Sequence, residues 1–251
     1  MIRRAFRMFR IAMVLSRYRL DELILDLPAL RMARLVRVLP WGRRRVRDLP
    51  RGARLRLALE ELWPVYVKFG QILSTRRDLL PPDIAEELAG LQERVPPFPG
   101  EQARAIIEEE LGKPVDELFA SFEEQPMASA SIAQVHAAVL PDGSEVVAKV
   151  VRPGIEARID DDLELLSALA GLARRYHPEG ERIRPNEVVA EFQRVIGDEL
   201  NMQQEGANAS MLRRNWEDSE ALYIPKIYWS HTARRVLVME RVGGVPVRDI
   251  D

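Results

Sequence analysis

Lys149 is the residue whose type and place ask most directly for chemistry. It stands alone in the run Val146-Val147-Ala148-Lys149-Val150-Val151, whose β-branched composition reads as a strand. An ammonium among apolar neighbours is costly unless something of opposite charge meets it. Just upstream, Ala133, Val135, Ala137 and Val139 alternate with Gln134, His136 and Ala138, the period of a second strand. Pro141-Asp142-Gly143-Ser144 supplies the turn between them. Ahead of both lies a stretch of small residues, Met127-Ala128-Ser129-Ala130-Ser131-Ile132. A cation held on a strand beside a close-packing loop suits the binding of phosphate. A plain hairpin, with the lysine stem lying along apolar surface and its head in water, is the other reading.

The order of loop, strand, turn and lysine-bearing strand is that of a kinase nucleotide cradle. There the lysine holds the α- and β-phosphates and pairs with a helix glutamate. The usual loop is rich in glycine, whereas residues 128–134 here contain none, and alanine does not readily take positive φ. Two acids stand ready to answer the lysine, Glu199 and Glu205 in DELNMQQEGANASML. Glu205 is the better candidate, because Gly206, Ala207 and Ala209 allow the helix to pack closely on a sheet. Glu199 and Asn201 would lie elsewhere on that helix, where Lys68 could meet the acid.

The elements that must position these groups follow from the pattern of the whole chain. Its 251 residues suffice for one or two domains, and they contain no cysteine, which excludes disulfides and thiolate chemistry. The net charge of −2 hides a split. Residues 1–56 carry 16 arginines against four acids, a balance of +12, and the remainder carries −14. Residues 1–20 read as a basic amphipathic helix, and Leu30 to Leu39, followed by Trp41 and Arg43-Arg44-Arg45, repeats the composition. An anionic membrane surface is the expected partner of this arm. A helix packed on its own protein is the other possibility. Few aromatic residues are available for base stacking, which argues against nucleic acid.

From Leu55 the apolar residues Leu55, Leu59, Leu62, Tyr66, Phe69 and Leu73 recur at helical spacing, with Pro64 expected to kink or restart the helix. Lys68 and Gln71 share one face, and Gly70 should let another backbone come close. Pro81-Pro82-Asp83 starts a helix reaching Leu91 or Val95, and Pro96 to Gly100 is a stiff linker. A short helix over 101–111, a helix over 155–176 and one long helix from about 187 to 216 are expected. Two further strands are expected at Tyr223–Trp229 and Val236–Met239, and Glu240 onward reads as a flexible exit.

Together these motifs resemble the UbiB-type atypical kinase-like proteins of ubiquinone biosynthesis, their bacterial members above all. The residues that carry the resemblance are Lys68-Phe69-Gly70-Gln71 with STRRDLLPPDIAEELAGLQ, the alanine-rich ASASIAQVH, the lysine of VAKVVRPG, Glu199-Leu200-Asn201 with Gln204 to Ala209, and VMERVGGVPV. The resemblance implies an α+β fold, a kinase-like N-lobe preceded by a helical extension. It implies ATP as ligand, bound by Met127, Ala128, Ser129, Ala130, Ser131, Ile132, Ala133, Gln134, Val135 and Lys149, with Glu205 holding the lysine. Lys68, Gly70, Gln71, Glu199 and Asn201 would form a regulatory extension, with Lys68 paired to Glu199. It further implies membrane association at the cytoplasmic face of a bacterial inner membrane, contact with polyprenyl-phenol lipids or the enzymes that modify them, and ATPase-like activity in place of protein phosphorylation. The catalytic-loop Asp and the metal-binding Asp of such kinases have no counterpart here, so Mg2+ ligands are expected beyond residue 251. The expected division is a basic arm at 1–54, an extension at 55–98 and the N-lobe at 99–251. A non-catalytic lipid-binding or scaffold protein is the rival, favoured by the arm and by the Tyr66/Phe69/Leu73 face.

Overall fold

The computed structural model describes residues 2–20, 49–62, 65–76, 78, 80–91, 96–176 and 180–244. Its helices are α1 (Ile2–Arg17), α2 (Arg51–Leu62), α3 (Val65–Thr75), α4 (Pro82–Ala89), α5 (Gly100–Leu111) and α6 (Val115–Leu118), then α7 (Ile155–Tyr176), α8 (Gly180–Ile183), α9 (Pro185–Glu199) and α10 (Met202–Asn215). The strands are β1 (Ser121–Phe122), β2 (Ala128–Ser129), β3 (Ala133–Val139), β4 (Glu145–Val151) and β5 (Val236–Glu240). The chain forms two compact units. One comprises residues 1–93 and 156–194, the other 94–155 and 195–251.

The first unit is helical. Val67, Ile84, Leu88 and Leu91 form a core, with Leu55, Leu59, Leu73 and Leu80 packed against it. Helix α2 ends at Leu62 and α3 begins at Val65; Pro64 lies outside the described residues. Gly70 is a point of close approach, but to side chains. A Cβ there would stand 2.5 Å from Leu91 Cδ1 and 2.7 Å from Leu59 Cδ1. Helix α1 packs within this unit, with Ile11, Val14 and Leu20 buried. The Leu30–Leu39 and Trp41–Arg45 stretches lie outside the described residues.

The second unit holds an antiparallel sheet in the order β1-β3-β4-β5, with β2 also paired to β3. The expected hairpin is present, with Gly143 at φ 87° in its turn and Ser144 N donating to Asp142 Oδ1. One sheet face packs on α5 and α6: Ala138, Val146, Ala148, Val150, Val236 and Val238 bury against Ala103, Ile106, Ile107, Val115 and Leu118. Register places Gln134 opposite Val150 and His136 opposite Ala148, hence on this same face. The alternation in β3 is therefore real, yet its polar residues are the ones that point into the core. Val135, Lys149 and Leu237 form one cross-strand row on the opposite face.

Two expectations need correction. Residues 187–216 are two helices. Leu200 and Asn201 break the run, and the Asn201 side chain accepts from the N–H groups of Gln203 and Gln204, capping α10. Residues 223–229 are not a strand. They meet β5 at a single bridge, Ile227 to Met239. Pro225 has no N–H to give the ladder, and the chain leaves in a 3-10 turn at Trp229–His231.

Helix α10 meets the sheet through Gly206, where a Cβ would stand 3.1 Å from Leu237 Cδ1 and 3.3 Å from Trp229 Cη2. Gly206→Val is expected to destabilise the protein by about 1–3 kcal/mol through overpacking, measured as a lowered denaturation midpoint with an unchanged denaturant slope.

Candidate functional site: a strand lysine paired with a helix glutamate

Lys149 stands mid-strand in β4, directly opposite Val135 on β3 and Leu237 on β5. Leu237 is the residue that Gly206 packs over. That contact brings the neighbouring Glu205 to the lysine, whose Nζ donates to both carboxylate oxygens at 2.7 Å. The side chains keep 22% and 37% of their exposure, so the pair is partly exposed, although Ala133, Ala137, Val151 and Leu237 on the same face are buried. An ion pair this accessible adds little to stability. It holds the ammonium at a fixed point while leaving it partly exposed.

The small-residue loop leads into β3 beside this pair. Ala128 pairs with Val135 and Ser129 with Gln134. None of residues 128–134 takes positive φ, so alanine follows this path without strain. Within the loop the Ala130 N–H donates to the Ala133 carbonyl at 2.8 Å. Of the residues expected to touch ATP, Met127 and Ala128 are exposed, and Ser129, Ala130, Val135 and Lys149 are half-buried. Ser131, Ile132, Ala133 and Gln134 are buried. The Gln134 side chain is turned away from the loop's open side. Its Oε1 accepts from Phe98 N at 3.1 Å, and its Nε2 donates to Phe98 O at 3.2 Å and lies 2.8 Å from His136 Nε2.

The other expected residues lie on α3, at the end of α9 and at the start of α10. Gln71 donates to the Leu91 carbonyl at 3.1 Å within the helical unit, and Gly70 abuts the Leu91 side chain. Lys68 is half-buried on α3, Glu199 is half-buried at the end of α9, and Asn201 caps α10. The aromatic face offered to a lipid by the rival reading is packed instead. Tyr66 is buried, Phe69 meets Phe192 edge-on at 5.1 Å and Leu73 joins the helical core. Two of the arm's arginines are also engaged: Arg7 pairs with Asp162 at 3.0 Å and Asp161 at 3.2 Å, and Arg17 with Glu61. Phe9 remains exposed. Among the described residues no helix is long and apolar enough to cross a membrane, and no three acids or histidines gather where they could hold a metal ion.

Sequence reasoning passed over Arg152. This buried arginine, three residues after Lys149, donates from Nε to the Ala130 carbonyl at 3.0 Å and from Nη2 to Ser129 Oγ at 2.6 Å and Pro96 O at 3.0 Å. The available signal was its place after a strand that ends in Pro153-Gly154, where a solvent-facing arginine is the ordinary outcome.

His136 is fully buried beneath Phe122, its Nδ1 2.8 Å from the Glu123 carbonyl. Burial pushes its pKa below the ordinary 6.5. The unfolded chain therefore takes up a proton below that pH that the folded protein refuses. The histidine's contribution is whole above about pH 6.5 and declines as the pH falls toward the folded-state value. The wild-type unfolding temperature should drop more between pH 7.5 and 5.5 than that of His136→Asn. Equal drops in a thermal melt would put the pH dependence elsewhere.

Comparison with known proteins meets this geometry. Residues 90–251 match the ABC1 atypical kinase-like domain. The chain is 59% identical over 247 residues to the probable protein kinase UbiB of Marinobacter nauticus, 56% over 250 to that of Xanthomonas campestris pv. campestris, and 55% over 249 to that of Pseudomonas paraeruginosa. These alignments cover 97–98% of the chain but 45–47% of the relatives, so the chain spans about half the length of the curated relatives it matches. Among solved structures it resembles Rv3197 of Mycobacterium tuberculosis, determined in complex with erythromycin. The TM-score is 0.55 and the identity 29%, over 76% of this chain and 48% of that one. The α+β kinase-like N-lobe is thus the fold, and the chain belongs to the ABC1 atypical kinase-like family as a UbiB-type member.

Proposed function

We propose that this chain is the ATP-binding half of an atypical kinase or ATPase that supports ubiquinone biosynthesis at a membrane. The observation that carries the reading is Lys149 held by both oxygens of Glu205 and still partly exposed, on the sheet face away from α5. A fixed ammonium beside a close-packing loop suits the α- and β-phosphates of a nucleotide, and Val135 and Ala128 offer small apolar surface on the same side. Lys149 would neutralise phosphate charge, Glu205 would keep it aimed, and residues 127–135 would line the nucleotide. Bound ATP would supply the transferable phosphoryl group. The described residues offer no metal-ligand cluster, and Mg2+ would come to the site with the nucleotide, neutralising its phosphates. The kinase-like name of the relatives supports phosphotransferase chemistry for the full-length protein.

Lys68, Gly70, Gln71, Glu199 and Asn201 are proposed to regulate the site, with access of a protein substrate as what they restrict. The membrane contact, at the cytoplasmic face of a bacterial inner membrane, is assigned chiefly to Trp41 and Arg43–Arg45, because several arginines of α1 already have partners in the helical unit. Polyprenyl-phenol lipids, or the enzymes that modify them, are the proposed partners there.

In the full-length protein, Lys149→Ala should weaken MgATP binding by roughly 10–100-fold, the size of a lost charge-assisted contact. Titration calorimetry reads this directly, and an unchanged affinity would remove Lys149 from the site. Replacing Arg43, Arg44 and Arg45 with Glu should lower co-sedimentation with cardiolipin-containing vesicles. The difference from wild type should shrink as salt rises. Unaltered sedimentation would mean that these arginines do not meet the lipid.

A further inference from the structure

Arg152 takes part in a continuous polar seam on the α5 side of the sheet. The seam starts at the Glu123 carbonyl, passes through His136 and Gln134 to the backbone of Phe98, and resumes at Arg152, whose Cζ lies 5.5 Å over the Phe98 ring. From there the guanidinium reaches Pro96 O, Ala130 O and Ser129 Oγ, while the Arg152 N–H donates to the Ile132 carbonyl at 2.8 Å. These partners are all neutral. A buried guanidinium placed among carbonyls and a hydroxyl is not there as half of an ion pair. Its rigid fork of donors spans three acceptors at once, which a lysine ammonium on a flexible stem does less well.

Three of those four acceptors, Ser129, Ala130 and Ile132, belong to the loop. A glycine-rich loop finds its shape through backbone freedom. This loop has no glycine and no positive φ, and besides its own contact from Ala130 to Ala133 and its pairing with β3 it is held by Arg152. We infer that Arg152 is a positioning residue for the nucleotide: it anchors Ser129 and Ala130 from below and so fixes the loop that leads into β3 opposite Lys149. The inference rests on the nucleotide reading proposed above. On this account the site carries two cations with separate tasks. Lys149 would touch phosphate, and Arg152 would shape the loop without touching ligand.

The test uses the full-length protein, with MgATP affinity and thermal unfolding measured for Arg152→Lys, Ser129→Ala, the double variant and Lys149→Ala. Arg152→Lys should weaken MgATP by about three- to tenfold, because lysine keeps the charge and loses only part of the guanidinium's hydrogen bonding. Ser129→Ala should weaken it by less. The double variant should match Arg152→Lys alone, because Ser129 acts through the guanidinium. Hydrogen exchange across residues 128–134 should quicken in Arg152→Lys, a change that general destabilisation would spread over the whole sheet. Should Arg152→Lys fail to fold, Ser129→Ala removes a single contact and still reports. If Lys149→Ala weakens binding while Arg152→Lys and Ser129→Ala leave it unchanged, Arg152 is structural and the inference is overturned. If Lys149→Ala also leaves binding unchanged, the nucleotide reading itself has failed, and the inference falls with it.

Discussion

The contact between Lys149 and Glu205 ties together two things that sequence keeps far apart: a strand and a helix. Its geometry is set by two others. Register places Lys149 between Val135 and Leu237, and the missing side chain of Gly206 lets α10 settle on Leu237. Glu205 then arrives at the ammonium with both oxygens. Because each side chain remains partly exposed, the pair adds little to folding. On the proposed reading, its worth lies in holding a charge where a phosphate would reach it.

The other side of the same sheet solves the opposite problem. Gln134 and His136 are fully buried, and a buried polar atom without a partner costs about 1–3 kcal/mol. Each is answered by a neighbour in the seam, so the cost is not incurred. The seam uses backbone atoms of the linker at Pro96 and Phe98 as partners. The linker is thereby fastened to the sheet next to the loop. Stiffness there comes from satisfied polar contacts as much as from proline.

The helical unit shows how one charge pattern admits two readings. Arginines of α1 that resemble a lipid-binding stripe find carboxylates on α2 and α7, while Ile11 and Val14 are buried. The KxGQ motif is equally local at two of its positions. Gly70 makes room for Leu59 and Leu91, and Gln71 holds the carbonyl of Leu91. A motif of this kind closes its own helical unit first, and any regulatory role is built on that base.

By itself the sequence determined the hairpin, the lysine within it, and the choice of Glu205 over Glu199. These rest on period-2 alternation, turn chemistry and a glycine beside an acid, all of them local signals. It also determined most helix positions, because proline and glycine mark their ends. Tertiary structure alone decided the rest. Which face of β3 enters the core could not be read from alternation, since Gln134 and His136 are acceptable inside only once Phe98 and Glu123 supply their partners. The break at Asn201 was hidden because asparagine is ordinary within a helical pattern until its side chain turns to cap the next helix. Arg152 was invisible for the same physical reason: a guanidinium reads as solvent-facing until the fold brings three acceptors within its reach.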